Sequence, residues 1–248
     1  EAAPPPFVPA DAVKFQRVRL DSPKVWAAFE KMLDDISPSW ARVLNDLVNE
    51  ANKEGRKRDA GFDVKRDIIG NLGDDLMWWR KPPRGNTLEQ LNHPPGALLL
   101  SSPNAEKLAF SLRSFFVALT PQPGPPQERE FLGRKIFSAT PPLFAPPESA
   151  KAPLPVIYYA ASGGYVGFSQ DVALLEEWLR SAENPPKPLR DTAGLTDAIQ
   201  KAGGAGGGWL AYESQAELAR AMFETFKKDA SAATNAIMAG PLAGSVNL

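Results

Sequence analysis

One design occurs four times in this chain and limits what it can fold into. Each copy has a short apolar run, a serine followed by proline or glutamine, and then an amphipathic stretch with helical spacing. The copies are VRLDSPKVWAAFEKML from Val18, LLLSSPNAEKLAFSLRSFF from Leu98, VGFSQDVALLEEWL from Val166 and LAYESQAELARAMFETF from Leu210. A serine hydroxyl can accept a hydrogen bond from an unpaired amide at a helix start, and proline at the first helical position loses no hydrogen bond. Each copy therefore predicts a β-strand followed by an α-helix.

The four serines, Ser22, Ser102, Ser169 and Ser214, are too unevenly spaced for a solenoid of fixed period. We therefore expect an α+β fold, in which quasi-repeated βα units place their strands in a largely antiparallel sheet covered by helices.

Two further segments predict strands of the same sheet. IYYAASGGYVGFS, from Ile157, has two alternating apolar runs around Gly163-Gly164, which is typical of a β-hairpin. FLGRKIFSAT, from Phe131, predicts another strand beside it. Together with the run from Leu98, these segments predict an antiparallel meander.

The 248 residues suffice for one large domain or two small ones. We expect a Pro/Ala-rich leader at 1–11, a single α+β domain at 12–230 and a tail at 231–248 that resembles a truncation from a longer chain. An alternative divides the domain into two similar halves, 12–120 and 121–230. The opening EAAPPPFVPADAV is of the kind left after a signal peptide or anchor has been removed, or after trimming. It favours a periplasmic, secreted or outer-face membrane-tethered location.

Composition excludes several classes of function. Lys and Arg total 28 against 29 acidic residues, so no net field would attract nucleic acid, and no nucleic-acid partner is expected. Cysteine is absent and His93 is the only histidine, which excludes thiolate chemistry and multi-histidine metal sites within one chain. No apolar run is long enough for a transmembrane segment. We expect no cofactor.

The segment FDVKRDIIGNLGDDLMWW, residues 62–79, combines four aspartates with a Trp-Trp pair. Asp63 is in the position of a helix N-cap, and Gly73 is expected to end that short helix in the left-handed conformation. A strand is then predicted from Asp74-Asp75 to Arg80, where Pro82-Pro83 ends it.

Asp63, Asp67, Asp74 and Asp75 form a candidate carboxylate cluster. Their spacing lacks the rhythm of an EF-hand loop, and glycoside hydrolysis needs two carboxylates facing each other across a cleft, which spacing cannot establish. No catalytic residue and no metal ligand is therefore assigned. The alternative is a carboxylate- or metal-dependent hydrolase that uses this cluster, with His93, in the turn LNHPPG, as a remote candidate base.

Trp78, Trp79 and Arg80 are the candidate binding residues. Successive side chains of a strand point to opposite faces, so one indole is expected in the core. The other is available to cover the sheet edge or to line a groove for a sugar, a peptide or a lipid.

The pattern F-D-x(3)-D-I-I-x-x-L-G-D-D resembles an uncharacterised bacterial extracytoplasmic family, a domain of unknown function with an "FD…D-(I/L)…LG-(D/E)-(D/E)" corner before a strand. It is carried by Phe62, Asp63, Asp67, Leu72, Gly73 and Asp75. The resemblance implies an exported or membrane-tethered α+β domain, and it carries over no activity and no catalytic residue. The Trp-Trp pair and the proline-rich spans at 121–127 and 141–155 depart from it.

The leading functional hypothesis is a non-enzymatic extracytoplasmic module, binding or structural, that recognises a protein, glycan or lipid partner. The absence of cysteine, the single histidine, the leader and the aromatic pair motivate it. The hydrolase is its rival. A third hypothesis is a structural half of a longer chain whose partner surface lies elsewhere.

Overall fold

The computed structural model describes residues 3–57, 59–119, 127–140, 155–204 and 206–228. Eight strands in these ranges form one sheet, with the order β4-β5-β6-β7-β3-β2-β1-β8. The strands are β1 (Lys14–Arg19), β2 (Asp75–Arg80), β3 (Gly96–Ser101), β4 (Glu128–Phe131), β5 (Arg134–Ala139), β6 (Ile157–Ser162), β7 (Tyr165–Ser169) and β8 (Trp209–Glu213). All neighbouring strands are antiparallel, which confirms the α+β class and the antiparallel sheet.

Eight α-helices accompany the sheet in the described ranges. They are α1 (Ser22–Ile36), α2 (Pro38–Arg56), α3 (Val64–Asp67), α4 (Leu88–Asn92), α5 (Ala105–Leu119), α6 (Val172–Arg180), α7 (Leu195–Lys201) and α8 (Gln215–Lys228). Each of the four serine-containing segments folds as predicted, since β1, β3, β7 and β8 lead into α1, α5, α6 and α8.

The two faces of the sheet have separate cores. The front face is covered by α6 and by an N-terminal segment, residues 3–13, in which Val8 is fully buried. The back face is covered by α5, with α2 and α3 packed beside it. Residues 3–11, which the sequence assigns to a leader, thus include part of the front-face core.

Covering of the back face is incomplete. Helix α5 packs on β5, β6 and β7, at one side of the sheet. On β3, Leu98 points to the back face and is 38% exposed, whereas the adjacent Leu99 points to the front and is fully buried. At the edge, the back-face Trp209 is 64% exposed. The main packing of α5 thus leaves the back faces of β3, β2, β1 and β8 more open, with Leu98 and Trp209 among their exposed apolar side chains.

The prediction that the serines cap the helices is wrong for three of them. The side chains that cap α1 and α6 are Asp21 and Asp171, which accept from backbone amides of the first helical turn. Ser169 Oγ instead accepts from the amide of Asp171, the residue before the first residue of α6, at 3.0 Å. Ser102 Oγ likewise accepts from the Asn104 amide at 3.1 Å, and the Asn104 side chain bonds the amide of Lys107. At Ser102 and Ser169, therefore, the hydroxyl shapes the turn and the residue two positions later caps the helix. The Ser22 hydroxyl instead donates to the Gly73 carbonyl.

Gly73 differs from its predicted role as well. Its φ is not positive; its amide donates to the Ser101 carbonyl at 2.7 Å, and a Cβ on Gly73 would lie 2.9 Å from the Ser101 backbone carbon. The glycine is required by this close approach of two chain segments. Asp63, in contrast, is the N-cap of α3 as predicted, since its carboxylate accepts from the Arg66 amide at 2.9 Å.

The predicted hairpin from Ile157 is confirmed, with Gly163 and Gly164 at positive φ between β6 and β7. The strand predicted beside this hairpin from Phe131 is confirmed as β5, which pairs with β6. The segment also includes the end of β4, because β4 and β5 form a second hairpin there. Its turn is Leu132-Gly133, and both residues have positive φ. Most of the two proline-rich spans lies outside the described residues.

Candidate functional site

A groove of about 610 Å³ lies on the back face, over β2, β3 and β7. Its floor is formed by Trp78, Leu98 and Phe168, which are neighbours across three adjacent strands because Trp78 pairs with Leu98 and Leu98 with Phe168. The segment from His93 to Pro95 and the segment from Ser169 to Asp171 form its rims. Its volume is within the range of ligand sites and its floor is apolar, so the groove is a candidate binding surface.

The indole of Trp78 is held in place by two neighbours. Its Nε1–H donates to Gln16 Oε1 at 2.9 Å, across to β1. The guanidinium carbon of Arg80 lies 5.3 Å from the indole centroid, a cation–π distance. The largest side chain of the floor is therefore oriented before any ligand arrives.

Trp79 points to the opposite face. It is 1% exposed in the front-face core and contacts Phe7 at a centroid distance of 6.5 Å. Of the three candidate binding residues, the structure thus brings the side chains of Trp78 and Arg80 together at the groove and places the Trp79 indole in the core.

The rims are held by hydrogen bonds and an ion pair. Asp171 accepts from two amides at the start of α6 and pairs with Arg84 at 2.8 Å. Ser169 Oγ donates to the Gly96 carbonyl at 2.7 Å, which joins the two rims. His93 is exposed at the end of α4, where its Nδ1 lies 3.0 Å from the Glu89 carbonyl oxygen. These polar groups already have partners in the chain, so the groove is largely preformed.

The candidate carboxylate cluster divides into two places. At the first, Asp67 is 1% exposed and accepts from Arg66, from Lys107 Nζ at 2.7 Å and from the Asp63 amide at 2.9 Å. The hydrogen bond from Arg66 is the largest cause that holds the pKa of Asp67 well below its usual range. The Asp63 carboxylate caps α3.

At the second place, Asp75 receives a two-bond contact from Arg17 and a hydrogen bond from the Tyr165 hydroxyl at 2.8 Å. Burial is the largest single influence and raises the pKa of Asp75. The hydrogen bonds from Arg17 and Tyr165 together outweigh it, so the pKa lies below its usual value. Burial, and then the Asp75 carboxylate, raise the pKa of Tyr165 to about 12. Asp74 is exposed and pairs with Arg19 at 2.6 Å.

At each of these two places, arginine or lysine side chains of the same chain bind the carboxylates. Within the described ranges, no three His, Asp or Glu side chains converge as ligands of a metal ion would. The geometry supports a structural role for the four aspartates, since a carboxylate that already accepts from arginine or lysine has little free capacity for a metal or a substrate proton.

Sequence reasoning missed Leu98 and Phe168 as groove residues. Both lie in runs that predict strands, and alternation places each on one face, but nothing in the sequence indicates which face a helix leaves uncovered. For the groove rim at Ser169–Asp171, the sequence did contain a signal. The pattern Ser-x-Asp is typical of a helix start and marks the beginning of α6.

No protein-family model matches this chain, and no curated protein or solved structure shows significant similarity to it. The resemblance to the FD…LG family therefore stays a prediction. Among the described helices, none combines the length and the apolar character needed to cross a membrane.

Proposed function

We propose that this protein is a non-enzymatic binding module that holds apolar side chains of a protein partner in the back-face groove. The exposure of Leu98 carries this proposal: a leucine in the middle of an inner strand of the sheet is 38% exposed. Complete burial of a large aliphatic side chain contributes about 1.5–3 kcal/mol, so covering the exposed part of Leu98 contributes a fraction of this and favours association.

The chemistry of the groove favours a protein over the other two partner classes. Sugars need many hydrogen-bonding groups, yet the Trp78 N–H, the Ser169 hydroxyl and the Asp171 carboxylate are already bonded within the chain. A lipid chain gains most from an enclosed cavity, whereas Leu98 faces solvent. Apolar side chains of a protein fit a shallow floor of Trp, Leu and Phe, and Arg80 at its margin is available to an acidic group of the partner.

The hydrolase alternative has less support, because Asp67 and Asp75 are paired with Arg66, Lys107 and Arg17. An extracytoplasmic location stays a prediction from the sequence. Protease treatment of intact cells that express the protein, followed by detection of its fragments, tests that location directly.

The experiment that tests the function places a photo-crosslinking amino acid at Leu98. Leu132, a similarly exposed leucine at the tip of the β4–β5 hairpin, is the matched control position. We expect a discrete protein adduct from position 98, absent from position 132, after irradiation in extract of the source cells. The same adducts from both positions, or none from position 98, would contradict the proposal.

A parallel measurement of the melting temperature with panels of sugars and lipids separates the partner classes. A ligand that binds only the folded state raises the melting temperature by mass action, by about 2.7 kcal/mol at a hundredfold excess over its Kd. A rise with a sugar or a lipid that disappears in Leu98→Asp would assign the groove to that class instead of to protein.

A further inference from the structure

Strand β8 is an edge of the sheet, and its outward backbone groups can be identified. The Arg19 amide donates to the Gly208 carbonyl at 2.7 Å, and the Ser214 amide donates to the Val13 carbonyl at 2.8 Å. Because hydrogen-bonded pairs alternate along an antiparallel ladder, Leu210 and Tyr212 direct their N–H and C=O groups toward β1. The N–H and C=O groups of Trp209, Ala211 and Glu213 therefore point away from the sheet.

The opposite edge of the sheet is protected, whereas β8 is not. Strand β4 reads EREF, and its Arg129 and Glu128 form ion pairs with Glu176 and Lys135. Charged side chains of this kind oppose pairing with another strand. Strand β8 reads WLAYE, without lysine or proline, and begins with a tryptophan that is 64% exposed.

Trp209, Ala211 and Glu213 of β8 are all exposed. Its main contacts are with β1, and α8, which follows it, packs against α4. An approaching strand would thus meet the backbone groups of Trp209, Ala211 and Glu213 directly.

We propose that two copies of this chain associate through β8, with the two strands antiparallel and Ala211 facing Ala211 on the two-fold axis. The outward groups of Trp209, Ala211 and Glu213 are symmetric about Ala211, so this register pairs all of them, Trp209 with Glu213 of the other copy. On the front face it places Leu210 opposite Tyr212, an aliphatic–aromatic pair of the kind that stabilises sheets.

Side-chain size and charge suit this register. Ala211 is the smallest side chain of the strand and lies on the two-fold axis, where it faces its own copy. Each Glu213 faces a tryptophan, so no like charges meet, and it keeps its ion pair with Lys14 at 3.0 Å. A strand from a different protein could form the same backbone bonds, but it would not be matched to this sequence about one central alanine.

The association has a consequence for binding. Antiparallel pairing about an axis perpendicular to the sheet places the back faces of both copies on the same side, so a dimer would present two grooves together. A partner with two docking segments would then bind with increased avidity. The dimer contact is independent of the groove, and each is tested separately.

A charge swap at Ala211 tests the contact. We expect the wild-type chain to be a dimer in analytical ultracentrifugation, and Ala211→Lys and Ala211→Glu each to be monomers, because each places two like charges on the axis. An equimolar mixture of the two variants should dimerise again. Ala216→Lys, an exposed alanine on α8, is the matched control and should remain a dimer.

Three results would overturn the proposal: a wild-type chain that is monomeric at all accessible concentrations, a dimer that persists in both single variants, or a mixture that stays monomeric. Hydrogen exchange adds a readout at residue level. The amides of Trp209, Ala211 and Glu213 should exchange slowly in the wild type and fast in the Ala211 variants, and equal exchange in both would also contradict the register.

Discussion

Arg17 and Asp75 are diagonal neighbours on β1 and β2, and their side chains form a two-bond ion pair on the front face of the sheet. The Arg17 Nε lies 2.9 Å from Oδ1 of Asp75, and Nη2 lies 2.7 Å from Oδ2. Their side chains are only 12% and 2% exposed. Tyr165 adds a hydrogen bond from β7, so this pair joins three strands.

Removing one member of this pair is expected to lower the free energy of unfolding much more than removing an exposed aspartate. In Asp75→Asn the nearly buried Arg17 charge loses its partner, and we expect the free energy of unfolding to fall by about 3–5 kcal/mol in a denaturant titration. The control Asp74→Asn removes a 61% exposed carboxylate and should cost less than about 1 kcal/mol. Equal losses in the two variants would contradict a structural role specific to Asp75.

The free energy of unfolding is expected to fall in acid, because Asp67 and Asp75 are ionised and paired in the folded state. Both have a folded-state pKa below the ordinary value of 3.8. Their contribution is therefore complete above about pH 4 and is lost as the pH falls toward the folded-state values. Unfolding measured from about pH 7 to about pH 2 should be less pH-dependent in Asp67→Asn than in the wild type. An unchanged slope would show that Asp67 is not paired as described.

Gly167 on β7 allows the Trp178 side chain of α6 to lie directly on the sheet. A Cβ at Gly167 would lie 2.6 Å from Cζ3 of Trp178. Gly167→Ala should therefore displace the indole and destabilise the protein by about 1–3 kcal/mol. Gly206→Ala, where a Cβ would have open space, should change stability by less than about 0.5 kcal/mol. A thermal or denaturant titration of both variants checks the difference.

Metal ions should leave the melting temperature unchanged. Asp67 and Asp75 are already bonded to arginine and lysine side chains, so they have little capacity for a metal ion. We therefore expect no shift with EDTA or with added calcium, magnesium, manganese or zinc. A metal-dependent rise that disappears in the Asp74→Asn/Asp75→Asn double variant would contradict this expectation and favour the hydrolase alternative.

Local sequence signals predicted most of the fold. The four strand–helix units and the Gly163-Gly164 hairpin follow from apolar periodicity and turn chemistry, which act over a few residues. Gly73 and Leu132 show where local signals fail. Glycine is required at position 73 because of a contact with Ser101, which is distant in the sequence. Leu132 adopts a positive φ, which is uncommon for residues other than glycine and asparagine.

The candidate site was partly predictable for the same reason. Alternation along β2 predicts that Trp78 and Trp79 point to opposite faces, and the structure places Trp79 in the core. The exposure of Leu98 depends instead on how far α5 extends across the sheet, which is a property of tertiary packing. Likewise, the spacing of Asp63, Asp67, Asp74 and Asp75 could not reveal that each carboxylate bonds within the chain.

The most direct test of the groove is the Kd of the partner captured at position 98, measured for the wild type and for two leucine variants. Leu98→Asp replaces the central apolar side chain of the floor with a charge, so we expect affinity to fall roughly a hundredfold, corresponding to about 2.7 kcal/mol. Leu132→Asp makes the same change at an exposed leucine outside the groove and should leave the Kd unchanged. Equal Kd values for the wild type and Leu98→Asp would contradict the assignment of the groove as the binding site.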